Sequence, residues 1–353
     1  MAKYEVKGKA WERMPGSVKV EDCSTTEEVM AKARLNYKVD KCPLVAKMEI
    51  NEGNFDEMCD AAKESSGFIH GKELFVDCPN AYGTFRTDHK IPLGVVKSKY
   101  TVVQNTDAFK FFDDAIGKNK AIFQTAGAFG HGERIFVSVK LPNIIRVKDD
   151  ICENYLVFTN THDGSSGVKI LFTPIRVVCQ NTLNAAIATS KNYVTFRHTA
   201  NVSSKIDTAA EILGISKIKI DEASQLYNQL ANIKVTDKDV MNYIANVYLT
   251  ENELENVNLI TDNNIRTLFN RNFAVMDEAK ISSRKVNQLV GSYDYYFKGI
   301  GQSEIAGTAW GAYNAITGYV SNVGNDDGER RMDSLLYGTK FDINAKALSL
   351  AAN

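Results

Sequence analysis

Proline is confined to the first half of this chain, and its distribution constrains the fold more than any other sequence feature. All six prolines lie between Pro15 and Pro174, and the 353-residue chain then runs to its end without another. Proline interrupts a helix because it lacks a backbone N–H group and its ring clashes with the preceding turn. The second half of the chain is therefore free to form long, uninterrupted helices.

The first half has a different sequence pattern, in which short runs of β-branched and aromatic residues are separated by Gly, Pro, Asn and Asp. These runs predict strands at residues 73–76, 94–96, 134–139, 155–159 and 167–173. The spacing of apolar residues predicts helices at 24–36 and 105–117. We therefore predict an α+β fold with a β-rich N-terminal and central core and a predominantly helical C-terminal half.

The C-terminal half shows helical periodicity over most of its length. Helices are predicted at residues 181–191, 202–213, 221–232, 236–247, 261–271, 283–290, 303–320 and 328–336. This pattern divides the chain into an N-terminal segment (1–70), an α+β core (71–200) and a helical region (201–353). No linker-like composition marks the boundary near residue 200, so we expect the helical region to pack closely on the core.

The sequence lacks several common functional motifs. It has no CxxC pair, P-loop, HExxH motif or EF-hand loop, so we expect neither a metal nor a cofactor. The glycine-rich segment 127–132 leads into a predicted strand rather than a helix, which favours a hairpin turn over a dinucleotide site. No apolar run is long enough to span a bilayer and the N-terminus has no signal-peptide core, so we expect a cytoplasmic protein.

Nucleophilic catalysis is a minor alternative. Cys179 could pair with His162 or His198 as a thiol and imidazole. However, Cys179 ends an apolar run at residues 175–179, which is typical of a buried, unreactive thiol. We therefore predict no catalytic residues.

Positive charge is concentrated in the middle of the chain. Residues 81–200 contain 15 Lys and Arg but only 9 Asp and Glu, whereas the whole chain has a net charge of -1. Cations interleaved with aromatic rings are what a single-strand binder needs, because phosphates bind the cations and bases stack on the rings. The candidate nucleic-acid-binding residues are Lys97, Lys99, Tyr100, Arg176, Arg197 and His198. The alternative is a scatter of solvated cations over core aromatics.

Arg176 carries a separate prediction, because it lies within the apolar run. A buried guanidinium without a partner is very costly. We therefore expect Arg176 to reach a carboxylate, several carbonyl groups or a bound phosphate.

A segment rich in glycine and alanine near residue 310 is the candidate for self-association. Trp310, Asn314 and Thr317 are spaced to share one helix face, and small neighbouring residues allow another backbone to approach. The alternative is tight packing within the chain.

These segments resemble a known family. The run Thr173–Leu183, with the sequence TPIRVVCQNTL, is similar to the signature of the DUF932, or phage/plasmid-like, family. Weaker matches follow the expected order over most of residues 80–320, at Gly94–Val96, Tyr100–Asn105, Arg197–Thr199 and Thr308–Ala315. The first 70 residues carry no such match. The resemblance implies a protein of phages, plasmids or other mobile elements, with no assigned catalytic residues.

The mobile-element setting and the basic middle third together favour a non-enzymatic, DNA-associated protein. We expect it to bind or anneal single-stranded DNA in replication or recombination within a bacterial host. Annealing proteins commonly act as rings or filaments, so we also expect a homo-oligomer. Two alternatives remain: an interaction or virion-associated protein without nucleic-acid chemistry, and a nucleic-acid enzyme with a metal site that the sequence does not bring together.

Overall fold

A computed structural model describes residues 4, 8–65, 67–110, 112–113, 121–183, 193–198, 209–324 and 328–352. The strands are β1 (Val18–Lys19), β2 (Val39–Glu49), β3 (Phe68–His70), β4 (Glu73–Arg86), β5 (Pro92–Val96), β6 (Ile122–Phe129), β7 (Arg134–Val147), β8 (Asp150–Thr161), β9 (Val168–Arg176) and β10 (Tyr193–Phe196). Among them lie a 3-10 turn (Ala10–Arg13) and three short helices, α1 (Thr26–Lys32), α2 (Phe55–Glu64) and α3 (Asn105–Phe109).

From residue 209 onward, the described part of the chain is helical. Its helices are α4 (Ala209–Asn232), α5 (Asp237–Tyr248), α6 (Glu251–Thr261), α7 (Arg266–Phe269), α8 (Phe273–Glu278), α9 (Ser283–Lys298), α10 (Ala309–Asn322), α11 (Gly328–Tyr337) and α12 (Thr339–Ala352). The predicted α+β class, with strands in the N-terminal and central parts and helices in the C-terminal half, is confirmed.

The larger sheet is antiparallel, with the strand order β1-β6-β7-β8-β9-β10. Strands β6 to β9 form consecutive hairpins, which keeps sequence neighbours adjacent in space. The turn between β6 and β7 contains Gly130 and Gly132, whose φ angles of 55° and 111° favour glycine. The predicted hairpin at residues 127–132 is therefore confirmed. Strand β8 is buried along most of its length.

The second sheet has the strand order β2-β4-β3, and β5 pairs with the other half of β4. Its inner half, where β2 and β5 flank Tyr82–Arg86, lies against the turn that follows β8. A Cβ atom on Gly94 of β5 would collide with the backbone of Asp163 in that turn. This close approach fixes β5, and the loop that follows it, beside the end of β8.

The outer half of this sheet forms a separate unit that we call the arm, residues 45–77. In the arm, the first part of β4 is the central strand, with β2 paired on one side and β3 on the other. Helix α2 contacts β3 and β4. Its buried apolar residues, Ile50 and Leu74, do not belong to the main core cluster.

The main core joins the larger sheet to the C-terminal helices. Helix α4 packs on β7, and α10 packs on α4 and α9. The ring of Trp310 on α10 lies 4.7 Å from that of Tyr227 on α4, and both side chains are fully buried. One apolar cluster therefore contains residues of both halves of the chain.

Several predicted element boundaries were wrong. The helix predicted at 24–36 is the shorter α1, Thr26–Lys32, whose N-cap is Thr25 because its side chain accepts the backbone N–H of Glu28. The segment Asn181–Leu183 is not helical, because it hydrogen-bonds with the end of β9 instead. The predicted helix 221–232 is the end of the longer α4. Residues 111, 114–117, 184–191 and 202–208 of the predicted helices lie outside the described residues.

Candidate functional site

The loop after β5 carries two of the predicted cations. Lys97 and Lys99 are exposed, and the backbone N–H of Tyr100 donates to the Lys97 carbonyl at 3.0 Å. The backbone N–H of Thr101 donates to the His198 carbonyl at 3.1 Å. This bond joins two segments about a hundred residues apart, so the exposed Arg197 lies beside the same loop.

Tyr100 and His198 connect the loop to the protein interior. Their rings stack with centroids 4.7 Å apart and planes inclined by 22°. The Tyr100 hydroxyl donates to the Thr161 carbonyl at 2.8 Å, and burial raises the pKa of Tyr100. His198 is buried, and its imidazole lies under the loop. Both side chains position the loop. The predicted role of His198 as a phosphate-binding cation is corrected, since its imidazole is enclosed. The role of Tyr100 as a base-stacking ring stays a prediction, because His198 occupies one face of its half-buried ring.

Lys41 of β2 is a cation of this surface that the sequence pattern did not reveal. Its Nζ donates to the carbonyls of Ser98 and Tyr100 at 2.9 and 2.8 Å, and it lies 4.8 Å from the ring of Tyr82. No local signal could have found Lys41, because the β2–β4 pairing brings it to a loop more than fifty residues away in sequence. We call Lys41, Lys97, Lys99 and Arg197 the basic loop surface.

The cations of the basic loop surface have no ion-pair partner among the described carboxylates. Lys41 bonds only to carbonyl groups, whereas Lys47 on the same strand pairs with Glu73 at 2.7 Å. The surface can therefore attract an anion without first breaking a salt bridge.

Beneath the loop lies a buried polar cluster around His162. Its Nε2 lies 2.8 Å from the Oδ1 of Asn105, whose amide donates to the Leu35 carbonyl. This pairing assigns the ring proton to Nε2, because the Asn105 oxygen can only accept. Among the described residues, His162 Nδ1, His198 Nε2 and Asn160 Oδ1 are buried without a hydrogen-bond partner.

Burial keeps both imidazoles of this region neutral. It lowers the pKa of His162 to about 3, with a smaller contribution from His198. It lowers the pKa of His198 to about 4. Near neutral pH, neither histidine supplies a positive charge to the surface above.

Arg176 lies elsewhere, at the end of β9, and is fully buried. Its Nε bonds to Oδ2 of Asp150 at 2.5 Å and its Nη2 donates to the Gly301 carbonyl at 2.9 Å. The same Asp150 oxygen accepts from Nε1 of Trp310 at 3.0 Å. The prediction that Arg176 reaches a partner is confirmed, and of the three kinds predicted that partner is a carboxylate. The predicted role of Arg176 as a phosphate contact is wrong, because its guanidinium is fully buried and paired with Asp150.

The candidate self-association residues are internal. Trp310, Asn314 and Thr317 have no exposed surface. The amide of Asn181 donates to Thr317 Oγ1 at 2.6 Å and to Asn314 Oδ1 at 3.1 Å. Their role as an outer association surface is corrected, and the alternative of tight packing within the chain describes their contacts.

Cys179 belongs to the same buried region. Its Sγ contacts the side chains of Asn181 and Arg176, and burial raises its pKa. A thiol held neutral in this way is a poor nucleophile. Across the described residues, no group of three or more His, Cys, Asp or Glu side chains could hold a metal ion.

Comparison with known proteins identifies the family. A family model described as a domain of unknown function, DUF932, matches residues 92–344. Neither a curated protein nor a solved structure matches the chain. Within the described residues, no helix is both long and apolar enough to cross a membrane. The matched range contains most of the larger sheet, Lys97, Lys99 and Arg197, the Arg176–Asp150 pair and most of the C-terminal helices. The chain therefore belongs to the DUF932 family.

Proposed function

We propose that this protein binds single-stranded DNA through the basic loop surface, as a non-enzymatic replication or recombination protein of a phage or plasmid. The observation that supports the proposal is the convergence of Lys41, Lys97, Lys99 and Arg197 from three separate segments, without paired carboxylates among the described residues. Cations in such an arrangement bind successive phosphates of a flexible strand and release its counterions.

The geometry limits how the strand is held. Tyr100 is half-buried against His198, so the proposed contacts are mainly to phosphates. We therefore expect little preference for base sequence, because phosphate contacts carry none directly. Annealing would require more than one bound strand, so we propose that it depends on self-association.

The proposal is tested by titrating a fluorescent single-stranded 40-mer with the full chain at several salt concentrations. The triple variant Lys97→Ala, Lys99→Ala, Arg197→Ala should weaken binding by roughly tenfold or more at low salt, and should reduce the log–log salt slope by about 2. The reason is that each lost phosphate contact removes about 0.7 from the slope.

A matched control has the same change in charge at exposed cations of the helical half: Lys217→Ala, Lys238→Ala, Arg284→Ala. This control should keep the wild-type affinity and slope. Absence of binding by the folded wild-type protein at low salt would refute the proposal. An equal loss in the control would show that net charge, rather than this surface, determines binding.

The arm supports a second proposal, self-association. Val45, Phe68 and Phe75 share one face of its sheet, and the Phe68 and Phe75 rings stack 5.0 Å apart. The side chains of Val45 and Phe68 are 41% and 58% exposed, which leaves an apolar patch in water. The arm also has open strand edges at β2 and β3, which can pair with another chain.

Charge favours a second copy of this chain as the partner of the arm. The arm contains eight acidic and three basic residues, a net charge of -5, whereas residues 81–200 have a net charge of +6. Contact between two different surfaces of identical chains is head-to-tail, and this arrangement generates rings or filaments. We propose that the arm joins neighbouring copies in this way.

The double variant Val45→Ser, Phe68→Ser should shift the protein toward the monomer in sedimentation-velocity measurements at micromolar concentration. The expected cause is loss of the apolar contact that complements the charge attraction. Leu259→Ser, which removes an 82% exposed apolar side chain from α6, should leave the oligomeric state unchanged. A wild-type chain that remains monomeric at about 100 μM would contradict self-association.

A further inference from the structure

A polar cavity lies on the face of β8 opposite to His162. It has a volume of about 190 Å³. Successive strand residues point to opposite faces, so Thr159 and Thr161 face the cavity while Asn160 and His162 face the buried cluster. The cavity is lined by Arg134, Thr159, Thr161, Ser165, Ser166, Lys169, Asp333 and Tyr337.

The cavity combines two cations with one carboxylate. Arg134 pairs through Nη1 with Asp333, and its guanidinium lies 5.1 Å from the Phe129 ring. Its Nε is buried without a hydrogen-bond partner among the described residues. Lys169 lies 4.8 Å from the ring of Tyr337, and its pKa is lowered by burial and by the charge of Arg134. Two like charges held together in a partly enclosed space favour a bound anion.

The turn after β8 forms one wall of the cavity and is held by its own hydrogen bonds. The Ser165 hydroxyl donates to Asp163 at 2.6 Å, and the Thr161 hydroxyl donates to the Ser166 carbonyl at 2.5 Å. These bonds fix the turn before any ligand arrives, and a preorganised site loses less entropy on binding.

We propose that this cavity binds a phosphate group, either as inorganic phosphate or as a phosphate monoester. The Arg134 guanidinium and the Lys169 ammonium supply positive charge for the phosphate oxygens, while the Ser166 hydroxyl can donate a hydrogen bond. Asp333 is already paired with Arg134, which reduces its repulsion of an anion. The inference is independent of DNA binding at the basic loop surface, because it uses different residues.

The test is isothermal titration of the full chain at fixed ionic strength with inorganic phosphate, thymidine monophosphate and thymidine. A short oligothymidylate with a 5′-phosphate is compared with the same oligomer carrying a 5′-hydroxyl group. Binding of phosphate and of the monophosphate, but not of thymidine, is expected. Stronger binding of the phosphorylated oligomer would identify a strand end as a source of the phosphate, and equal binding would assign the site to free phosphates.

Two variants give independent checks without removing the Arg134–Asp333 pair. Lys169→Gln removes a cation and Ser166→Glu adds an anion, and each should weaken phosphate binding about tenfold or more, the size expected for a charge-assisted hydrogen bond. Arg146→Gln, an exposed arginine on the same strand as Arg134, should leave it unchanged.

The inference is overturned if the folded wild-type chain binds no phosphate at millimolar concentration, or if both cavity variants bind as the wild type does. The triple variant of the basic loop surface should keep phosphate binding in the cavity. A failure of DNA binding and a failure of phosphate binding are therefore distinguishable.

Discussion

Replacement of Arg176 by Gln is expected to lower the free energy of unfolding by about 3–5 kcal/mol, the cost of breaking a buried ion pair by removing one partner. Asp150 is only 7% exposed in the wild-type protein, so the variant leaves its carboxylate buried with Trp310 Nε1 as a remaining donor. It also removes the bond to the Gly301 carbonyl. The uncompensated carboxylate, rather than the lost attraction alone, causes most of the destabilisation.

Chemical denaturation at neutral pH measures this effect. The double variant Arg176→Met, Asp150→Asn is the control, because it removes both charges and should be less destabilised than Arg176→Gln alone. A loss below about 1 kcal/mol in Arg176→Gln would be typical of an exposed pair and would contradict the buried geometry. The wild-type pair connects β8 and β9 to α10. The variant should therefore also lower the cooperativity with which the sheet and the helices unfold.

The sequence predicted the parts of the structure that depend on local pattern. Runs of β-branched and aromatic residues predict strands β7, β8 and β9. The apolar run around Arg176 predicts that its buried guanidinium has a partner. The sequence did not identify Asp150 as the partner, because the pairing of β8 with β9 brings Cys152 opposite Arg176 and the carboxylate near it. Long-range register determines that contact, and register is not visible in one sequence.

Only part of the candidate site could be predicted, because a single sequence shows local patterns but not long-range contacts. Lys97, Lys99 and Arg197 were found because cations near aromatic residues form a visible local pattern. Lys41 was missed because only the β2–β4 pairing places it at the loop. His198 was assigned a surface role because an Arg-His dipeptide does not reveal which side chain points inward. Only the fold, in which the chain bends just after the end of β10, separates the exposed Arg197 from the buried His198.

The buried histidines predict a strong dependence of stability on pH. An unfolded chain protonates histidine near pH 6.5, whereas burial lowers the pKa of His162 to about 3 and that of His198 to about 4. As pH falls below 6.5, the unfolded state binds protons that the folded state does not accept. Stability is therefore lost progressively from pH 6.5 down to these lower values.

Between pH 7 and pH 5, each histidine should reduce the free energy of unfolding by about 2 kcal/mol, which follows from the linkage between proton binding and folding. The nearby charge of Asp163 raises both pKa values and so moderates the effect, whereas repulsion between the two imidazoles lowers that of His162. Paired carboxylates such as Asp88, whose pKa is lowered to about 2, protonate only at lower pH, so the histidine contribution is separable.

Denaturant unfolding of His162→Gln and His198→Gln between pH 7 and pH 5 tests this expectation. Glutamine keeps a donor toward Asn105 but does not titrate, so each variant should lose about half of the wild-type pH dependence. His70→Gln, at an exposed position of β3, should retain all of it. If both variants kept the wild-type profile, the imidazoles would have to be hydrated in the folded protein. The Tyr100–His198 stack would then not hold the basic loop surface in the way that its burial indicates.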